Sequence, residues 1–232
     1  MKVDAPAPSL FVTGPDTGIG KSVASAALLH AWRARGLRAV GMKPVASGCE
    51  PTAQGWRNED ALALQAASDP VPAYADVNPY ALEHPLAPEL AAADAGVRIA
   101  LPPILDAYAR LRAQADLVVV EGVGGWMAPI TAELDQQALA RALDLPVVLV
   151  VGVRLGCITH ARLTARAILA DGLHLAGWIA NEIDPAMARV DDNVAILQRV
   201  LPAPCLGRLP HAAAVDAAAM AAALDPGRLS PR

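Results

Sequence analysis

Apolar runs rich in valine, leucine and isoleucine alternate along the chain with longer stretches of helical period. Six runs predict strands, over 9–13, 38–43, 116–121, 146–152, 174–180 and 204–209. Between the runs, the spacing of apolar positions predicts helices over 20–35, 59–68, 102–114, 135–143, 158–171 and 187–200. Apolar strands that alternate with helices are typical of a parallel sheet covered by crossover helices. We therefore expect an α/β fold with helices on both faces of a parallel sheet.

Three stretches depart from this alternation. Residues 69–90 are rich in proline and predict an irregular excursion from the core. The first eight residues include Asp4 and two prolines where a secretory signal needs an unbroken apolar segment, so we expect a loose leader over 1–8. The tail "DPGRLSPR", 225–232, is expected to fray. At 232 residues, one domain over 1–232 is the expected organisation.

Composition narrows the function classes. Hydrophobic residues make up 54% of the chain, but the longest apolar stretch, "LPVVLVVGV", is too short to span a membrane. Three cysteines without a C-x-x-C pair favour a reducing cytoplasm, and neither a disulfide framework nor a thiolate metal site is expected. The five histidines lack ligand spacing, so any metal would be held by oxygen. A net charge of −4 without a basic run predicts no nucleic-acid partner.

The first predicted strand is followed by "GPDTGIGKS", Gly14 to Ser22. Such a loop wraps backbone N–H groups around phosphate at a helix N-terminus, while its lysine neutralises the outer phosphates and its hydroxyl ligates Mg²⁺. Five residues separate Gly14 from Gly20, one more than in the usual P-loop, so this is a lengthened variant. A glycine-rich turn before an ordinary helix is the alternative. The strand before and the helix after favour a P-loop NTPase-like three-layer fold.

The loop has no second lysine near its beginning, where Pro15 and Asp16 stand. Partition-type and septum-placement ATPases use that extra lysine across a dimer. The sequence therefore disfavours an ATP-driven switch of this kind, which would organise partners or surfaces.

Two polar residues follow the second predicted strand. Lys43 ends it, and Ser47 lies in the turn beyond. At this position in a P-loop fold a cation lies beside the γ-phosphate and can stabilise charge during phosphoryl transfer. The alternatives are a solvated charge for the lysine and a plain turn residue for the serine.

Two carboxylates are candidate magnesium ligands. Glu121 ends a fully apolar strand and is followed by glycines, as in a Walker B segment whose acid holds Mg²⁺. The alternative interpretation of Glu121 is a glutamate that caps a helix or forms an ion pair. Asp60 begins a predicted helix, where an acidic residue is also a common partner for the helix dipole.

The motifs together resemble those of one family, the dethiobiotin synthetases of the biotin pathway. They are, in chain order, "GPDTGIGKS", "GMKPVASG", "RNEDALAL", "VNPYAL", "VVVEGVGGW", "LPVVLVVGVRLGCITHARLTA" and "LAGWIAN". The resemblance runs from about residue 9 to about residue 212, and the combination is specific although no single motif is. It implies an ATP-dependent ligase that converts 7,8-diaminononanoate and CO₂ into a cyclic urea, with release of ADP and phosphate. The implied route passes through a carbamate and a carbamic-phosphoric anhydride.

The resemblance also implies residue roles. The phosphates would lie on Gly18, Ile19, Gly20, Lys21, Ser22 and Val23. Ser22, Asp60 and Glu121 match the Mg²⁺ positions, while Lys43 and Ser47, with Thr17 beside them, match the residues facing the carbamate and the attacked phosphate. The stretch lining nucleotide and substrate would be Gly122, Val123 and Gly124.

Further positions follow from the same resemblance. Asn181 matches an adenine-reading amide, with a simple turn residue as its alternative, and Pro210 and His211 match the purine wall. Cys157 and Ile158 lie in a segment that would reach across a two-fold interface to the substrate carboxylate, which implies a homodimer in the cytoplasm.

The chain departs from the family in places. Gly18 stands where some relatives have glutamate, and Ser22 where threonine is commoner. Amide-forming ligases of the cobyrinate diamide synthase type are an alternative to the dethiobiotin synthetases, and a nearer one than the ATP-driven switch. They usually carry a glutamine-hydrolysing domain, for which 232 residues leave no room.

Overall fold

A computed structural model describes residues 9–212 and 216–231, and all strands and helices below lie within them. The strands are β1 (Leu10–Thr13), β2 (Ala39–Met42), β3 (Val45–Ser47), β4 (Glu50–Thr52), β5 (Gly55–Arg57), β6 (Tyr80–Leu82), β7 (Leu117–Glu121), β8 (Val147–Val153), β9 (Leu175–Glu182) and β10 (Cys205–Leu209). The helices are α1 (Lys21–Arg33), α2 (Glu59–Ala67), α3 (Tyr74–Val77), α4 (Pro88–Asp94), α5 (Leu101–Gln114), α6 (Gln136–Leu143), α7 (Cys157–Ala170), α8 (Val190–Val200) and α9 (Ala217–Met220). Two short 3-10 turns follow, over Ala221–Ala223 and Pro226–Arg228.

Within these residues six strands form a wholly parallel sheet in the order β10-β9-β8-β1-β7-β2. Each strand is four to eight residues long and nearly all of its positions are buried, because helices cover both faces. β1 lies between β7 and β8, with Val12 opposite Glu121 on one side and Val148 on the other. The carboxyl ends of β1, β2 and β7 therefore meet at one edge.

Side chains of successive strand residues enter two separate cores. Leu10 and Val12 pack with α1, α2 and α9, whereas Phe11 between them packs in the core that α5, α6, α7 and α8 cover. This alternation is what a sheet buried on both faces requires. The predicted α/β P-loop-like fold with helices on both faces is confirmed.

Every predicted strand and helix is present, and the ends differ by at most three residues. The proline-rich segment 69–90 contains α3, β6 and the start of α4 as well as irregular backbone. The helices α3, α4 and α9 were not predicted, nor were the short strands β3, β4, β5 and β6. Each of these strands has three residues, and β4 is fully exposed, so no apolar periodicity marks them.

The prediction that the C-terminal tail frays is wrong for the residues that the structure describes. The loose leader predicted over 1–8 lies outside the described residues. Residues 225–231, expected to fray, are bonded to the sheet: Asp225 N donates to Leu206 O (2.7 Å) and Ser230 N to Ala176 O (2.9 Å). Pro226 is buried in its 3-10 turn. The proline and glycine here form a turn that packs, instead of marking a free end.

Within residues 9–212 and 216–231, the helices are all too short or too polar to cross a lipid bilayer.

Candidate active site

A cavity of about 810 Å³ opens at the carboxyl edge of the sheet, where β1, β2 and β7 end. Ligands of open α/β sheets bind in this position. Lys21 and Lys43 both line it, although 21 residues separate them in the sequence. The predicted site residues that line this cavity are Thr17, Gly18, Gly20, Lys21, Ser22, Val23, Lys43, Ser47, Asp60, Glu121, Val123 and Gly124.

The loop between β1 and α1 bends so that α1 begins at the cavity. Gly20 is the N-cap of α1 and has φ +81°, the left-handed region that glycine adopts without strain. A Cβ at Gly20 would lie 2.0 Å from Asn181 Nδ2, so the position also requires a residue without a side chain. The first N–H groups of α1 lack intrahelical partners and form a ready phosphate site.

Lys21 is the first residue of α1, and its ammonium points back over the loop. Its Nζ donates a hydrogen bond to Asp16 O at 2.8 Å. Burial, and then repulsion from Lys43, lowers the pKa of Lys21 from 10.5 to about 8. Bringing an anion beside Lys21 would favour its charged form.

Lys43 is almost fully buried between two carboxylates. Its Nζ donates to Glu121 Oε1 and, at 3.1 Å, to Asp60 Oδ2. Burial by itself lowers the pKa of Lys43, but the charges of Glu121 and Asp60 outweigh burial and the net pKa is raised. Burial likewise raises the pKa of Asp60, whereas Lys43 outweighs it and the net pKa is lowered. The ammonium and the Asp60 carboxylate are therefore both charged near neutral pH.

The three predicted magnesium ligands lie at one wall of the cavity. Ser22 Oγ donates to Glu121 Oε1 at 2.8 Å, and Asp60 is joined to the same glutamate through Lys43. The second oxygen, Glu121 Oε2, is buried and has no hydrogen-bond partner among the residues that the structure describes. A buried carboxylate oxygen without a partner is costly unless a cation binds it. A hydroxyl and two carboxylates fit the oxygen ligands that Mg²⁺ prefers.

Other predicted residues support the loop from outside the cavity. Asn181 is buried at the end of β9 and donates through Nδ2 to Ile19 O at 2.8 Å. Ile19 itself is a core residue, and Gly122 N donates to Val12 O at 2.9 Å. Asn181 therefore holds the phosphate loop, a role that the sequence did not indicate.

The predicted purine wall and substrate loop also lie at the carboxyl edge, outside the cavity lining. Pro210 and His211 are exposed and follow β10, whose Leu209 pairs with Asn181. Cys157 is buried at the start of α7, and Ile158 is half-buried. Pro210 and His211 therefore lie just beyond a strand, and Cys157 and Ile158 lie at the start of a helix, and none of the four lines the cavity around Lys21 and Lys43.

Several contributors to the site were missed from the sequence. Asp16 Oδ2 accepts from Arg154 Nη2 at 2.7 Å, which ties the phosphate loop to the segment before α7. Gln136, fully buried, donates through Nε2 to Thr13 Oγ1 (3.0 Å) and Gly125 O (2.9 Å). No motif marks these contacts, since they join distant segments.

The proline-rich excursion forms one wall of the cavity. Its lining residues are Pro85, Leu86, Ala87 and Pro88. Asn58, which also lines the cavity, is the N-cap of α2. An asparagine directly before an acidic first turn is a helix-start signal, so the sequence did contain a clue to Asn58.

Comparison with known sequences gives close relatives. A family model described as an AAA domain matches residues 8–219. A protein named ATP-dependent dethiobiotin synthetase BioD from Xanthomonas euvesicatoria is 69% identical over 218 residues, which cover 94% of this chain and 97% of that protein. A protein of the same name from Xylella fastidiosa is 61% identical over 219 residues, covering 94% and 97%.

Comparison with solved structures shows the fold alone. A ParA family ATPase from Chlorobium tepidum superposes with a TM-score of 0.56 at 12% identity, covering 89% of this chain and 86% of that one. At such low identity the likeness says nothing of a shared activity.

Proposed function

Because the chain belongs to the family of ATP-dependent dethiobiotin synthetases, we propose that it makes dethiobiotin from 7,8-diaminononanoate, CO₂ and ATP. As a member of that family it is an ATP-dependent ligase that acts on small molecules. One observation carries the mechanistic part of the proposal: Lys21 and Lys43 line a single cavity together with the oxygen ligands of Ser22, Asp60 and Glu121. We propose that this cavity, with a volume of about 810 Å³, takes the terminal phosphate and a small acid beside it.

The first step makes that acid. One amine of the substrate attacks the carbon of CO₂ and loses a proton, which gives a carbamate. A carbamate oxygen then attacks the γ-phosphorus of ATP, the bond to the bridging oxygen breaks, and ADP leaves. The product is a carbamic-phosphoric anhydride. No protein nucleophile is needed, because phosphoryl transfer depends chiefly on alignment and charge neutralisation.

The residues of the cavity are proposed to provide both alignment and charge neutralisation. Lys21 and the backbone N–H groups of Gly18, Ile19, Gly20, Ser22 and Val23 are proposed to hold the phosphates. Lys43, with Thr17 beside it, is proposed to face the oxygens of the transferring group. Buried cations act strongly there because the surrounding dielectric is low. Ser22, Asp60 and Glu121 are proposed to hold Mg²⁺, which when bound neutralises charge on the phosphates.

Ring closure completes the reaction. The second amine attacks the anhydride carbonyl, phosphate leaves with its oxygens, and the amine loses a proton to give the cyclic urea. Ser47 and Gly124 are proposed to line the substrate, since both face the cavity. Pro85, Leu86, Ala87 and Pro88 line the same cavity and are proposed to lie beside the substrate.

The remaining site residues complete the proposal. Asn181, Pro210 and His211 would bind adenine, with Gly122 and Val123 beside the nucleotide. Cys157 and Ile158 would hold the substrate carboxylate of a partner subunit across a two-fold axis. The homodimer, the single domain over 1–232 and the cytoplasmic location belong to the same proposal.

One experiment tests the reaction directly. The protein is incubated with 7,8-diaminononanoate, bicarbonate, Mg²⁺ and ATP, and the products are identified by mass spectrometry. We expect dethiobiotin and ADP in equal amounts, and neither when the diamine is omitted. ATP turnover that ignores the diamine would contradict the proposal.

A further inference from the structure

The backbone of Lys43 is held by a buried asparagine. Asn78 Nδ2 donates to Lys43 O at 2.7 Å and to Tyr80 O at 3.2 Å, and Asn78 is only 3% exposed. Lys43 N donates in turn to Val77 O at 2.7 Å. The segment "VNPYAL" thus fixes both backbone polar groups of Lys43, directly beyond the end of β2.

Tyr74 links this asparagine to α2. Its hydroxyl accepts from Asn58 N at 2.8 Å and donates to Asn78 Oδ1 at 3.1 Å. Burial raises the pKa of Tyr74, so the phenol keeps the proton that it donates. The Arg57 guanidinium lies over the Tyr74 ring, 4.1 Å from its centroid, and holds the ring in place.

Asn58 is the other end of this connection. As the N-cap of α2, its Oδ1 accepts from Ala61 N at 3.2 Å, and its Nδ2 donates to Ser47 O at 3.4 Å. Asp60 lies two residues further, in the first turn of the helix, and its Oδ2 accepts from Lys43 Nζ at 3.1 Å. The contacts therefore form a closed ring from Lys43 through Asn78, Tyr74, Asn58 and Asp60 back to Lys43.

We propose that Tyr74 and Asn78 are positioning residues, which fix Lys43 relative to Asp60 for phosphoryl transfer without touching the substrates. The proposal deepens the proposed function and rests on the roles given there to Lys43 and Asp60. Hydrogen bonds make every junction of the ring except the one from Asn58 to Asp60, which the backbone of α2 makes. Buried polar networks whose hydrogen bonds are satisfied in this way become rigid. An error of about 1 Å in the place of a reacting group lowers a rate by up to about 100-fold.

The phosphate loop is not part of the ring. Lys21 and the backbone of the loop are held by Asp16 and Asn181 instead. Loosening the ring is therefore expected to lower kcat and to leave ATP binding unchanged. This separation distinguishes positioning of Lys43 from general damage to the site.

The test compares Tyr74→Phe and Asn78→Leu with the wild type. Tyr74→Phe keeps the ring beneath Arg57 and removes only the hydroxyl, while Asn78→Leu removes the amide at similar volume. Tyr80→Phe is the matched control, because its hydroxyl contacts only the backbone of Ala100, among the described residues, away from the cavity. For each variant, kcat and the KM values are measured, with ADP affinity by calorimetry and the melting temperature without ligand.

We expect kcat to fall by roughly 10- to 100-fold in both ring variants, with ADP affinity unchanged and Tyr80→Phe like the wild type. Since the two residues act through one route, the double variant should lose no more than the worse single variant. A kcat per folded molecule equal to that of Tyr80→Phe would overturn the inference. Equal losses in kcat and ADP affinity would overturn it too. Failure of the proposed function is distinct, because it appears in the wild type as ATP turnover that does not depend on the diamine.

Discussion

The two sides of the cavity are built in different ways. On one side, Gly14 to Ser22 form one continuous segment, the loop after β1 and the first residues of α1, whose backbone is the proposed phosphate site. On the other, Lys43, Asp60 and Glu121 come from three segments, and side-chain hydrogen bonds bring them together. The first side depends on local backbone conformation and the second on long-range contacts. Sequence motifs reveal the first kind of structure far better than the second.

This difference predicts different responses to substitution. A change in the loop alters the conformation of consecutive residues and should reach nucleotide binding directly. A change on the opposite side should alter the reaction while leaving the nucleotide bound. The two lysines, one on each side, allow the clearest comparison.

The largest effect is expected for Lys43→Gln. In the proposed mechanism Lys43 stabilises the negative charge that forms on the transferring phosphoryl group. Removing a side chain with this role lowers kcat by about 100- to 1,000-fold. Affinity for ADP should change little, because Lys43 contacts the carboxylates and not the phosphate loop. Product formation is followed by mass spectrometry and ADP binding by calorimetry.

Lys21→Gln is the matched variant on the loop side. It should weaken ADP binding as well, by roughly 10- to 100-fold, since a charged hydrogen bond to phosphate contributes about 1.5–3 kcal/mol. If Lys43→Gln lost ADP affinity to the same extent, the two sides would not be separate. Thermal unfolding must show both variants folded, because loss of Lys43 leaves the buried Glu121 without its ammonium.

A smaller effect is expected when Gly20 is replaced by alanine. Gly20 and Gly36 have nearly the same positive φ, +81° and +82°, so alanine is strained at both, by about 1 kcal/mol. Only at Gly20 would the new Cβ collide, 2.0 Å from Asn181 Nδ2, while Gly36 has no described atom within 4 Å. Gly20→Ala should therefore cost a further 1–3 kcal/mol, on the order of an overpacked core site, and weaken ATP binding.

Chemical denaturation of the two alanine variants measures the difference. Equal free energies of unfolding would show that Asn181 does not hold the loop, and the loop side would then be less rigid than its contacts indicate. Because Gly36 lies between α1 and β2, its variant should bind ATP as the wild type does.

Much of the fold could be predicted from sequence because its signals are local. β8 is seven consecutive buried residues, "VVLVVGV", and no other element type fits so short an unbroken apolar run between helices. The short strand β4 gave no such signal, since its residues are exposed and its partner β5 is equally short. The prediction for the tail was wrong for another reason. The hydrogen bonds that hold the tail go to Leu206 and Ala176, which are distant in the chain and leave no local signal.

The residues of the site also divide into those that a local sequence signal reveals and those that it does not. Lys21 and Ser22 are read from one motif, and Glu121 from a strand that ends in an acid before glycines. Asp60 could be placed only by resemblance, because an acid at a helix start has an ordinary explanation. Asn78 lies in the motif "VNPYAL", but the motif gave it no role, and Tyr74 lies in no motif. Their importance depends on which distant backbone groups they meet, and only the folded structure provides that.

The smallest effect concerns an ion pair at the opposite edge of the sheet, far from both sides of the cavity. Arg38 precedes β2 and Asp116 precedes β7, and Arg38 Nη2 donates to Asp116 Oδ1 at 2.7 Å. The side-chain hydrogen bond from Arg38 lowers the pKa of Asp116 below its ordinary value.

A carboxylate with a lowered pKa stabilises the fold above its unfolded pKa of about 4, and this contribution is lost as the pH falls below that value. Asp116→Asn should therefore be less stable than the wild type at pH 7, and the difference in the free energy of unfolding should shrink as the pH falls toward 3. Arg38→Gln should change stability in the same direction but less, because the backbone N–H of residue 38 still donates to Asp116 Oδ2 at 2.8 Å. Stability is measured by urea unfolding, and both variants should keep full activity at neutral pH. A stability gap that persists unchanged at pH 3 would show that the ion pair does not cause it, and a loss of activity would show that the two edges of the sheet are coupled.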